Sequence, residues 1–295
     1  MTTLLLSGVF GYGLLLSTGS AALFHWRLRS RHRRPPVEFK LLRGPGELSL
    51  RSLRRLEANL PVLLLVGVTL PLLAGLGLLL YVATLSGSPQ ITTAVLGGLG
   101  LLTGLFLGGR FLLKQINLRR DLELRYLGER AVAEELAPLL PLGYRMFHDV
   151  AIHGVDSNLD LDHVLVGPNG ITVIEAETRR RERRKGAAHQ HEVSFDGKQL
   201  TWPWGPDRDT VADVETESAS FTKWLLQTTG YRVPAVAVLT LPGWWIAITG
   251  RGIVTVVNHK QVLSTITERT AELLAPEQIE KICKELEAHC RDVEA

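Results

Sequence analysis

Long stretches of this 295-residue chain contain no charged side chain. Asp, Glu, Lys and Arg are all missing from Met1–Trp26, and again from Ala58–Gly109. A water-soluble protein spreads its charges more evenly than this, and the positive mean hydropathy of the chain is also unusual for one. The charge distribution therefore predicts two parts, one suited to a lipid bilayer and one suited to water.

Cysteine is also scarce, with two residues in the whole chain. Cys283 and Cys290 are seven positions apart, so on a helix they would share a face without being placed for a bridge. A disulfide framework is therefore not expected, and the composition fits a reducing compartment. The net charge of +3 is too small to indicate a nucleic-acid partner by itself.

The uncharged stretches hold three segments that are long enough to cross a bilayer, which takes about 20 mostly apolar residues. We predict membrane helices at about residues 2–26, 60–85 and 91–109. The last two are joined by the polar turn Ser86–Gln90 and form a predicted helical hairpin. In the first segment the basic residues follow the apolar run, whereas a signal peptide carries them before it, so we expect a retained helix.

Basic residues flank these segments on one predicted side. The loop 27–59 holds ten Lys or Arg against three Glu, and four more basic residues lie between Arg110 and Arg120. Such residues favour the cytoplasmic side, which indicates a multi-pass membrane protein whose C-terminal domain is cytoplasmic. The alternative role for loop 27–59 is binding of anionic lipid or nucleic acid. Glycines in the last span either allow close helix packing or face lipid.

From residue 121 to residue 295 the pattern is that of a soluble α/β domain, preceded by the membrane region 1–120. Apolar residues recur at helical spacing over Leu122–Leu139. Strands are predicted at 144–152, 159–166, 171–177, 192–195, 199–202, 233–239 and 253–257, and helices at 207–228 and 276–291. This order of elements predicts a mixed sheet flanked by helices.

Four carboxylates interrupt two otherwise apolar strands. Asp160 and Asp162 lie in the first strand, and Glu175 and Glu177 lie in the second, after a Gly-Pro-Asn-Gly turn signal. Acidic residues are poor strand formers and are costly to bury. Their place between apolar neighbours therefore indicates a function more than a fold requirement.

A hairpin register centred between Pro168 and Asn169 puts the four carboxylates on one face, with Asp162 opposite Glu175. Opposed side chains lie about 5 Å apart, so their charges repel unless a cation neutralises them. Mg²⁺ suits this role because it prefers carboxylate oxygens. One alternative is a three-residue loop with a bulge, which would separate Asp162 from Glu175. Another is a set of solvated carboxylates on an open face.

These residues resemble the nuclease-related (NERD) domain, a branch of the PD-(D/E)xK nuclease superfamily. The similarity begins at Leu127–Glu129, is strongest over Leu161–Glu177, and fades after the Asp196-Gly197 hairpin, covering roughly residues 122–263. The resemblance implies a restriction-endonuclease-like core, in which a mixed sheet is flanked by helices. It also implies metal-dependent hydrolysis of phosphodiester bonds.

The resemblance assigns Asp162 and Glu175 as metal ligands and Glu129, on the first helix, as an auxiliary catalytic carboxylate. The motif lysine, which helps to activate the attacking water, corresponds to Glu177, so the sequence departs from the family pattern there. A carboxylate at this position implies a further metal ligand or a general base. The implied cofactor is Mg²⁺ or Mn²⁺. The later helix offers Asp209, Glu215 and Ser218 as further polar candidates.

A basic run follows the second acidic strand. It consists of Arg179, Arg180, Arg181, Arg183, Arg184 and Lys185. Beside the carboxylates this run is predicted to hold a phosphate backbone, and the alternative is a solvated or lipid-facing loop. The tryptophans at 202, 204, 244 and 245 either stack on bases or pack in the core or at a membrane interface. The histidines match no structural zinc motif.

The sequence thus predicts a membrane-anchored nuclease that acts on DNA or RNA at the cytoplasmic face. The alternative is a catalytically inactive module that binds nucleic acid or a protein at the membrane, having lost the motif lysine. Metal binding separates the two interpretations. The oligomeric state is left open by the sequence.

Overall fold

The computed structural model of the chain describes residues 40–64, 90–153, 158–181, 191–269 and 273–294, with a few single positions before residue 90. The predicted span at 2–26 lies outside the described residues except for one position. Most of the predicted span at 60–85 and the basic residues 27–39 also lie outside them.

The chain divides into two compact units. The first consists of Met1–Pro35 with Ser52–Arg120, and the second of Pro36–Arg51 with Asp121–Ala295. The second unit is therefore discontinuous in sequence. The short segment Pro36–Arg51, which precedes the charge-free stretch 58–109, belongs to it, and the sequence patterns did not predict this.

Two long helices occupy the region between residues 47 and 136. Helix α1 spans Glu47–Leu64 and helix α2 spans Gln90–Leu136. The predicted helices at 91–109 and 122–139 are thus one continuous helix. The residues that join them contain neither Pro nor Gly and are rich in Leu, Arg and Lys, which favour helix.

The first part of α2 exposes an apolar surface. Its exposed large side chains include Ile91, Val95, Leu99, Leu102, Phe106 and Leu107. One helical stretch among the described residues, Gly98–Leu142, is long and apolar enough to cross a membrane by length and composition. The charge-free part of this stretch ends at Gly109, because Arg110 and Lys114 follow.

Close helix packing occurs at one glycine of this span. A Cβ atom added at Gly108 would collide with the backbone carbonyl of Gly67. Added Cβ atoms at Gly98, Gly100 and Gly109 would meet no other atom within 4 Å. Of the two roles considered for these glycines, close approach therefore applies to Gly108.

The second unit contains the strands. They are β1 (Lys40–Leu42), β2 (Arg145–His153), β3 (Asn158–Gly167), β4 (Gly170–Ala176), β5 (Glu192–Phe195), β6 (Leu200–Trp202), β7 (Gly205–Asp207), β8 (Ala235–Thr240), β9 (Trp245–Ile248), β10 (Thr255–Val257) and β11 (Arg291–Glu294). The remaining helices are α3 (Asp209–Thr229), α4 (Val262–Thr267) and α5 (Pro276–Cys290). The strands β1, β7, β9 and β11 were not predicted.

The main sheet has five strands in the order β10-β8-β4-β3-β2. Strands β2, β3 and β4 are antiparallel neighbours, whereas β4, β8 and β10 run parallel. A second sheet has four strands in the order β7-β6-β5-β9. Strands β1 and β11 form a third sheet of two strands. The predicted mixed sheet flanked by helices is confirmed.

Helices cover both faces of the main sheet. Val164, Val166 and Val173 pack in one core cluster with Phe221 of α3 and Leu286 of α5. Strand residues of opposite parity lie in another cluster with the end of α2. Because successive strand residues face opposite sides, the two clusters lie on opposite faces. The inner face of α5 consists of its buried residues Ile282, Cys283, Leu286 and Cys290.

The turn between β3 and β4 has the predicted register. Gly167 pairs with Gly170, and His163 pairs with Ile174, so Pro168 and Asn169 are the two central residues. The alternative of a three-residue loop with a bulge is therefore excluded. The register sets Asp162 beside Glu175 on the neighbouring strand.

The segment around β1 joins the second unit through both backbone and side chains. Lys40 pairs with Glu294 between β1 and β11. Arg43 forms an ion pair of 2.6 Å with Asp292. Gly46, between β1 and α1, has a φ of +71° and lies against the ring of Tyr126 on α2.

We expect Gly46→Ala to destabilise the protein by about 1–2 kcal/mol, because an L-residue is strained in the left-handed region. The new Cβ atom would also lie 2.8 Å from Cδ2 of Tyr126, so this ring must shift. Gly44→Ala is the control, since nothing lies within 4 Å of its added Cβ. Equal free energies of unfolding for the two variants in denaturant would contradict this assignment.

Two histidines face each other across β2 and β3. The Nδ1 atoms of His148 and His163 are 2.9 Å apart, and the His163 side chain is fully buried. Burial lowers the pKa of His148 to about 3 and that of His163 to about 4. The two rings are therefore neutral and structural at neutral pH.

The histidine pair makes stability depend on pH. The unfolded histidines have a pKa of about 6.5, so as pH falls the unfolded state takes up protons first and stability decreases between about pH 6.5 and pH 4. The slope is up to about 1.4 kcal/mol per pH unit for each histidine. We expect His148→Phe to reduce this slope and His191→Phe, at an exposed position, to leave it unchanged. Equal slopes in His148→Phe and the unchanged protein would refute this account.

Candidate active site

A cleft of about 490 Å³ opens in the second unit where β4 ends. Its walls come from α2, β3, β4 and the residues after it, α3 and β8. The lining residues are Asp121, Leu122, Arg125, Asp162, Glu175, Ala176, Glu177, Thr178, Arg179, Thr210, Asp213, Val214, Glu217 and Leu239. The cleft is strongly acidic, because six of these residues are Asp or Glu.

Asp162 lies at the floor of the cleft and is 4% exposed. Its Oδ2 accepts a hydrogen bond of 2.9 Å from the backbone N–H of Ala176 on β4. Its Oδ1 accepts one of 2.9 Å from Nη2 of Arg125. Both oxygens therefore have a fixed donor, which holds the carboxylate in one orientation.

Glu175 is the partner of Asp162 across the hairpin. The backbone N–H of Asp162 donates to Oε1 of Glu175 over 3.3 Å. Burial, and then the nearby Asp162 carboxylate, raise the pKa of Glu175 well above its usual value. The predicted contact between these two acids is thus present, and their mutual repulsion favours the protonated form of Glu175.

Arg125 is the residue that neutralises the site, and sequence reasoning did not find it. Its Nε donates to Oε1 of Glu129 over 2.9 Å, one helical turn along α2, while its Nη2 reaches Asp162. The side chain is half exposed and lines the cleft. An ion-pair spacing of four residues was visible in the sequence, but the contact with Asp162 depends on how α2 packs.

Glu129 lies behind Arg125 and does not line the cleft. It is fully buried, and its Oε1 also accepts a hydrogen bond of 2.9 Å from Oγ of Ser49. Its Oε2 has no hydrogen-bond partner among the described residues. Burial, followed by the Asp162 charge, raises the pKa of Glu129 to about 8. The predicted auxiliary carboxylate therefore does not face the cleft itself, and its link to the cleft is the ion pair with Arg125.

The approach of α2 to the cleft depends on Gly128. A Cβ atom added there would collide with Cγ2 of Thr178, which follows β4. With a larger residue at this position, the side chain of Thr178 would have to shift. This contact explains why glycine precedes Glu129 in the segment that carried the resemblance.

Glu177 lies at the cleft beyond the end of β4. Its backbone N–H donates to the carbonyl of Thr240 over 2.9 Å, so the chain here follows β8 and no longer pairs with β3. Asp160 pairs with Ala151 of β2 instead and is exposed outside the cleft. Of the four carboxylates predicted to share one face, Asp162, Glu175 and Glu177 therefore line the cleft and Asp160 does not.

The side chain of Glu177 forms an ion pair of 2.6 Å with Nε of Arg179. Burial raises the pKa of Glu177, and the Arg179 charge opposes this rise. The carboxylate at the motif lysine position therefore faces the cleft with its own fixed cation.

Helix α3 contributes two acids that were not predicted, Asp213 and Glu217. They are four residues apart and so share the face that lines the cleft. Burial, and then the Asp162 charge, raise the pKa of Glu217 to about 7. Of the three residues considered earlier, Ser218 is buried and donates to the carbonyl of Ala235, and Asp209 and Glu215 do not line the cleft.

A second acid behind the site, besides Glu129, is Asp149 on β2, which has a φ of 49°. Its Oδ2 accepts a hydrogen bond of 3.1 Å from the backbone N–H of Leu48. Burial raises its pKa to about 6. Ser49 likewise donates to Glu129. Leu48 and Ser49, in the first turn of α1, therefore supply hydrogen-bond donors to two buried acids behind the cleft.

The described part of the basic run consists of Arg179–Arg181, whereas Arg183, Arg184 and Lys185 lie outside the described residues. Arg180 forms an ion pair of 2.7 Å with Asp121 at the cleft. Arg181 donates to the carbonyl of Gly243 over 3.3 Å. The described part of the run therefore begins at the cleft wall, and its contact with a phosphate backbone stays a prediction.

Among the described residues, no group of three or more His, Cys, Asp or Glu side chains is arranged to hold a metal ion. The donor chemistry of the cleft still suits a hard divalent cation, because the cleft offers carboxylates and neither thiolate nor imidazole. A cation at Asp162 would have to replace Arg125 as its partner.

Residues 124–242 match a protein family whose description is nuclease-related domain (NERD). The searches of curated proteins and of solved structures gave no match. The matched range includes Arg125 and every acid that lines the cleft except Asp121. Most of the cleft therefore lies within the segment that matches the nuclease-related domain.

Proposed function

We propose that the second unit is a metal-dependent phosphodiesterase with a restriction-endonuclease-like core that hydrolyses DNA or RNA. The observation that carries this proposal is the convergence of Asp162, Glu175, Glu177 and Glu217 on one cleft within the NERD domain. Raised pKa values at Glu175 and Glu217 indicate carboxylates that lack sufficient positive charge. A divalent cation would supply it.

Asp162 and Glu175 would hold Mg²⁺ or Mn²⁺, and Glu217 is a further ligand candidate. When bound, such an ion would polarise a phosphoryl oxygen and lower the pKa of a bound water. Asp162 would exchange Arg125 for the cation at its Oδ1. Glu175 would lose its proton, because a cationic neighbour favours the charged form of a carboxyl group.

Two residues would replace the two functions of the missing lysine, which are activation of the water and stabilisation of negative charge. Glu177 stands at the lysine position and would accept the proton of the attacking water as general base. Arg125, once displaced from Asp162, would place its guanidinium against the phosphoryl oxygens, where negative charge develops. Its half-exposed side chain lies at the cleft and remains tied to Glu129 through Nε.

We also propose that the protein is anchored in a membrane with this domain on the cytoplasmic side. The charge-free stretches and the basic flanks support this placement. The exposed apolar side chains along the first part of α2 support it as well, since a lipid environment would cover them. Three spans remain the prediction of the sequence.

A second candidate function is a binding module without catalytic activity. The specific observation in its favour is that Arg125 already neutralises Asp162 at 2.9 Å. A site that has lost its metal would keep such an internal cation permanently. The two functions differ in whether a divalent cation can displace Arg125.

The deciding measurement is a cleavage assay on the full-length protein in detergent, with labelled single- and double-stranded DNA and with RNA. We expect cutting with Mg²⁺ or Mn²⁺ and none with chelator. Glu175→Gln should lower the rate by at least about 100-fold, the scale of losing an acid–base or metal-binding group. Glu215→Gln, on the exposed side of α3, should cut like the unchanged protein.

Calorimetric titration with Mn²⁺ separates the outcomes. Binding of Mn²⁺ that Glu175→Gln abolishes, together with cutting, supports the phosphodiesterase. A folded protein that neither binds Mn²⁺ nor cuts any of the three substrates would refute it and favour the binding module.

The role of Arg125 gives a separate prediction. We expect Arg125→Gln to bind Mn²⁺ more tightly, because Asp162 loses a competing cation, while cleavage slows by about 100-fold or more. Arg125→Lys should keep part of the activity, since it retains the positive charge. Faster cleavage by Arg125→Gln would show that Arg125 only inhibits the site.

A further inference from the structure

Three tryptophan rings form a stack at the tip of the β6–β7 hairpin. The rings of Trp202 and Trp204 are parallel within 7°, with centroids 5.3 Å apart. The ring of Trp244 meets both edge-on, at centroid distances of 5.0 Å and 5.6 Å. This cluster, which we call the tryptophan stack, therefore has one ring at its outer end.

The two inner rings are fixed. Trp202 is 3% exposed and Trp244 is 2% exposed. Nε1 of Trp202 donates to Oδ2 of Asp207, and Nε1 of Trp244 donates to the carbonyl of Arg179, each over 3.3 Å. The core interpretation is thus confirmed for these two residues.

The outer ring is different. Trp204 is 42% exposed, although one of its faces is covered by Trp202 and its edge by Trp244. Trp202 and Trp244 thus cover part of the Trp204 ring, and the rest of this residue is open to solvent. A flat aromatic surface held rigidly at the protein surface can stack on another planar ring at low entropic cost.

The tryptophan stack is joined to the cleft by the basic run. Arg179 lines the cleft, pairs with Glu177, and places its guanidinium carbon 6.0 Å from the ring centroid of Trp202. The guanidinium of Arg181 donates to the carbonyl of Gly243, the residue before Trp244. Positive charge thus extends from the cleft wall to the base of the stack.

We propose that the exposed face of Trp204 stacks on a base of single-stranded nucleic acid, whose backbone passes Arg179 and Arg181 toward the cleft. The combination of an aromatic platform and adjacent arginines is the chemistry that recognises a flexible strand. Bases in a duplex are stacked on one another and cannot offer a face to Trp204. The inference deepens the proposed function, because it selects single strands among the substrates considered.

The test measures binding to the full-length protein in detergent with chelator present, so that no strand is cut. The probe is a short fluorescein-labelled oligothymidylate followed by anisotropy, with a duplex of equal length for comparison. We expect Trp204→Ala to weaken single-strand binding by about tenfold or more, and Trp204→Phe to restore most of it. Duplex binding should not change.

Trp245→Ala is the matched control, since Trp245 is 68% exposed on β9 outside the tryptophan stack. Its affinity for the oligothymidylate should equal that of the unchanged protein. Trp204→Leu keeps an apolar side chain for packing and lacks the aromatic ring, so it should bind as weakly as Trp204→Ala. This variant keeps the test decisive if Trp204→Ala does not fold.

Several results would overturn the proposal. One is unchanged oligothymidylate affinity in Trp204→Leu, and another is an equal loss for the duplex. A loss of binding to phosphatidylserine vesicles without a loss of oligothymidylate binding would assign Trp204 to a lipid surface instead. If the oligothymidylate binds as expected but no substrate is cut with Mg²⁺, the proposed phosphodiesterase activity alone is refuted. If cleavage occurs and is unchanged in the Trp204 variants, the proposed base stacking on Trp204 alone is refuted.

Discussion

Repulsion among carboxylates at the end of the β3–β4 hairpin is the constraint on which the rest of the site depends. Asp162, Glu175 and Glu217 converge on one cleft, with Glu129 buried behind it. Such a set is unfavourable unless protons or cations neutralise it. Arg125 provides one positive charge, shared between Asp162 and Glu129, and protonation at the other acids relieves part of what remains.

This balance of charge determines how the site would respond to a ligand. A divalent cation would have to displace Arg125 from Asp162 and protons from the remaining acids. The free energy of binding would then include the cost of breaking an ion pair of 2.9 Å. The displaced guanidinium would stay at the cleft, because Glu129 still holds its Nε. One residue could therefore act as a counter-ion in the resting state and as a phosphate ligand afterwards.

The buried acids also explain why the second unit is discontinuous. Glu129 and Asp149 need hydrogen-bond donors away from water, because a buried carboxylate without a partner is costly. Ser49 and the backbone N–H of Leu48 supply these donors. The polar groups behind the cleft thus depend on the segment Pro36–Arg51, which precedes the charge-free stretch 58–109. The left-handed conformation of Gly46 lets the chain turn within this segment.

Much of the fold could be predicted, because local patterns encode it. The strands β2 to β6, β8 and β10 and the helices α3 and α5 follow from periodicity and turn residues close to their observed bounds. The register of the β3–β4 turn follows from the positions of Pro168 and Asn169. The pairing of Asp162 with Glu175 is a consequence of that register.

The short strands β1 and β11 could not be predicted, since they pair ends of the chain that are distant in sequence. The exclusion of Asp160 depends on where β4 leaves β3 to follow β8.

The sequence by itself determined the alternation of charged and uncharged segments, the acidic hairpin and the similarity to nuclease-related domains. These features depend on residue type and spacing, which the chain carries without folding. Tertiary structure decided that Arg125 neutralises Asp162, that Asp213 and Glu217 enter the cleft from α3, and that Trp204 is exposed whereas Trp202 is buried. The contacts responsible, including that of Trp244 with Trp202, join elements far apart in sequence. They therefore depend on how the elements pack in the folded protein.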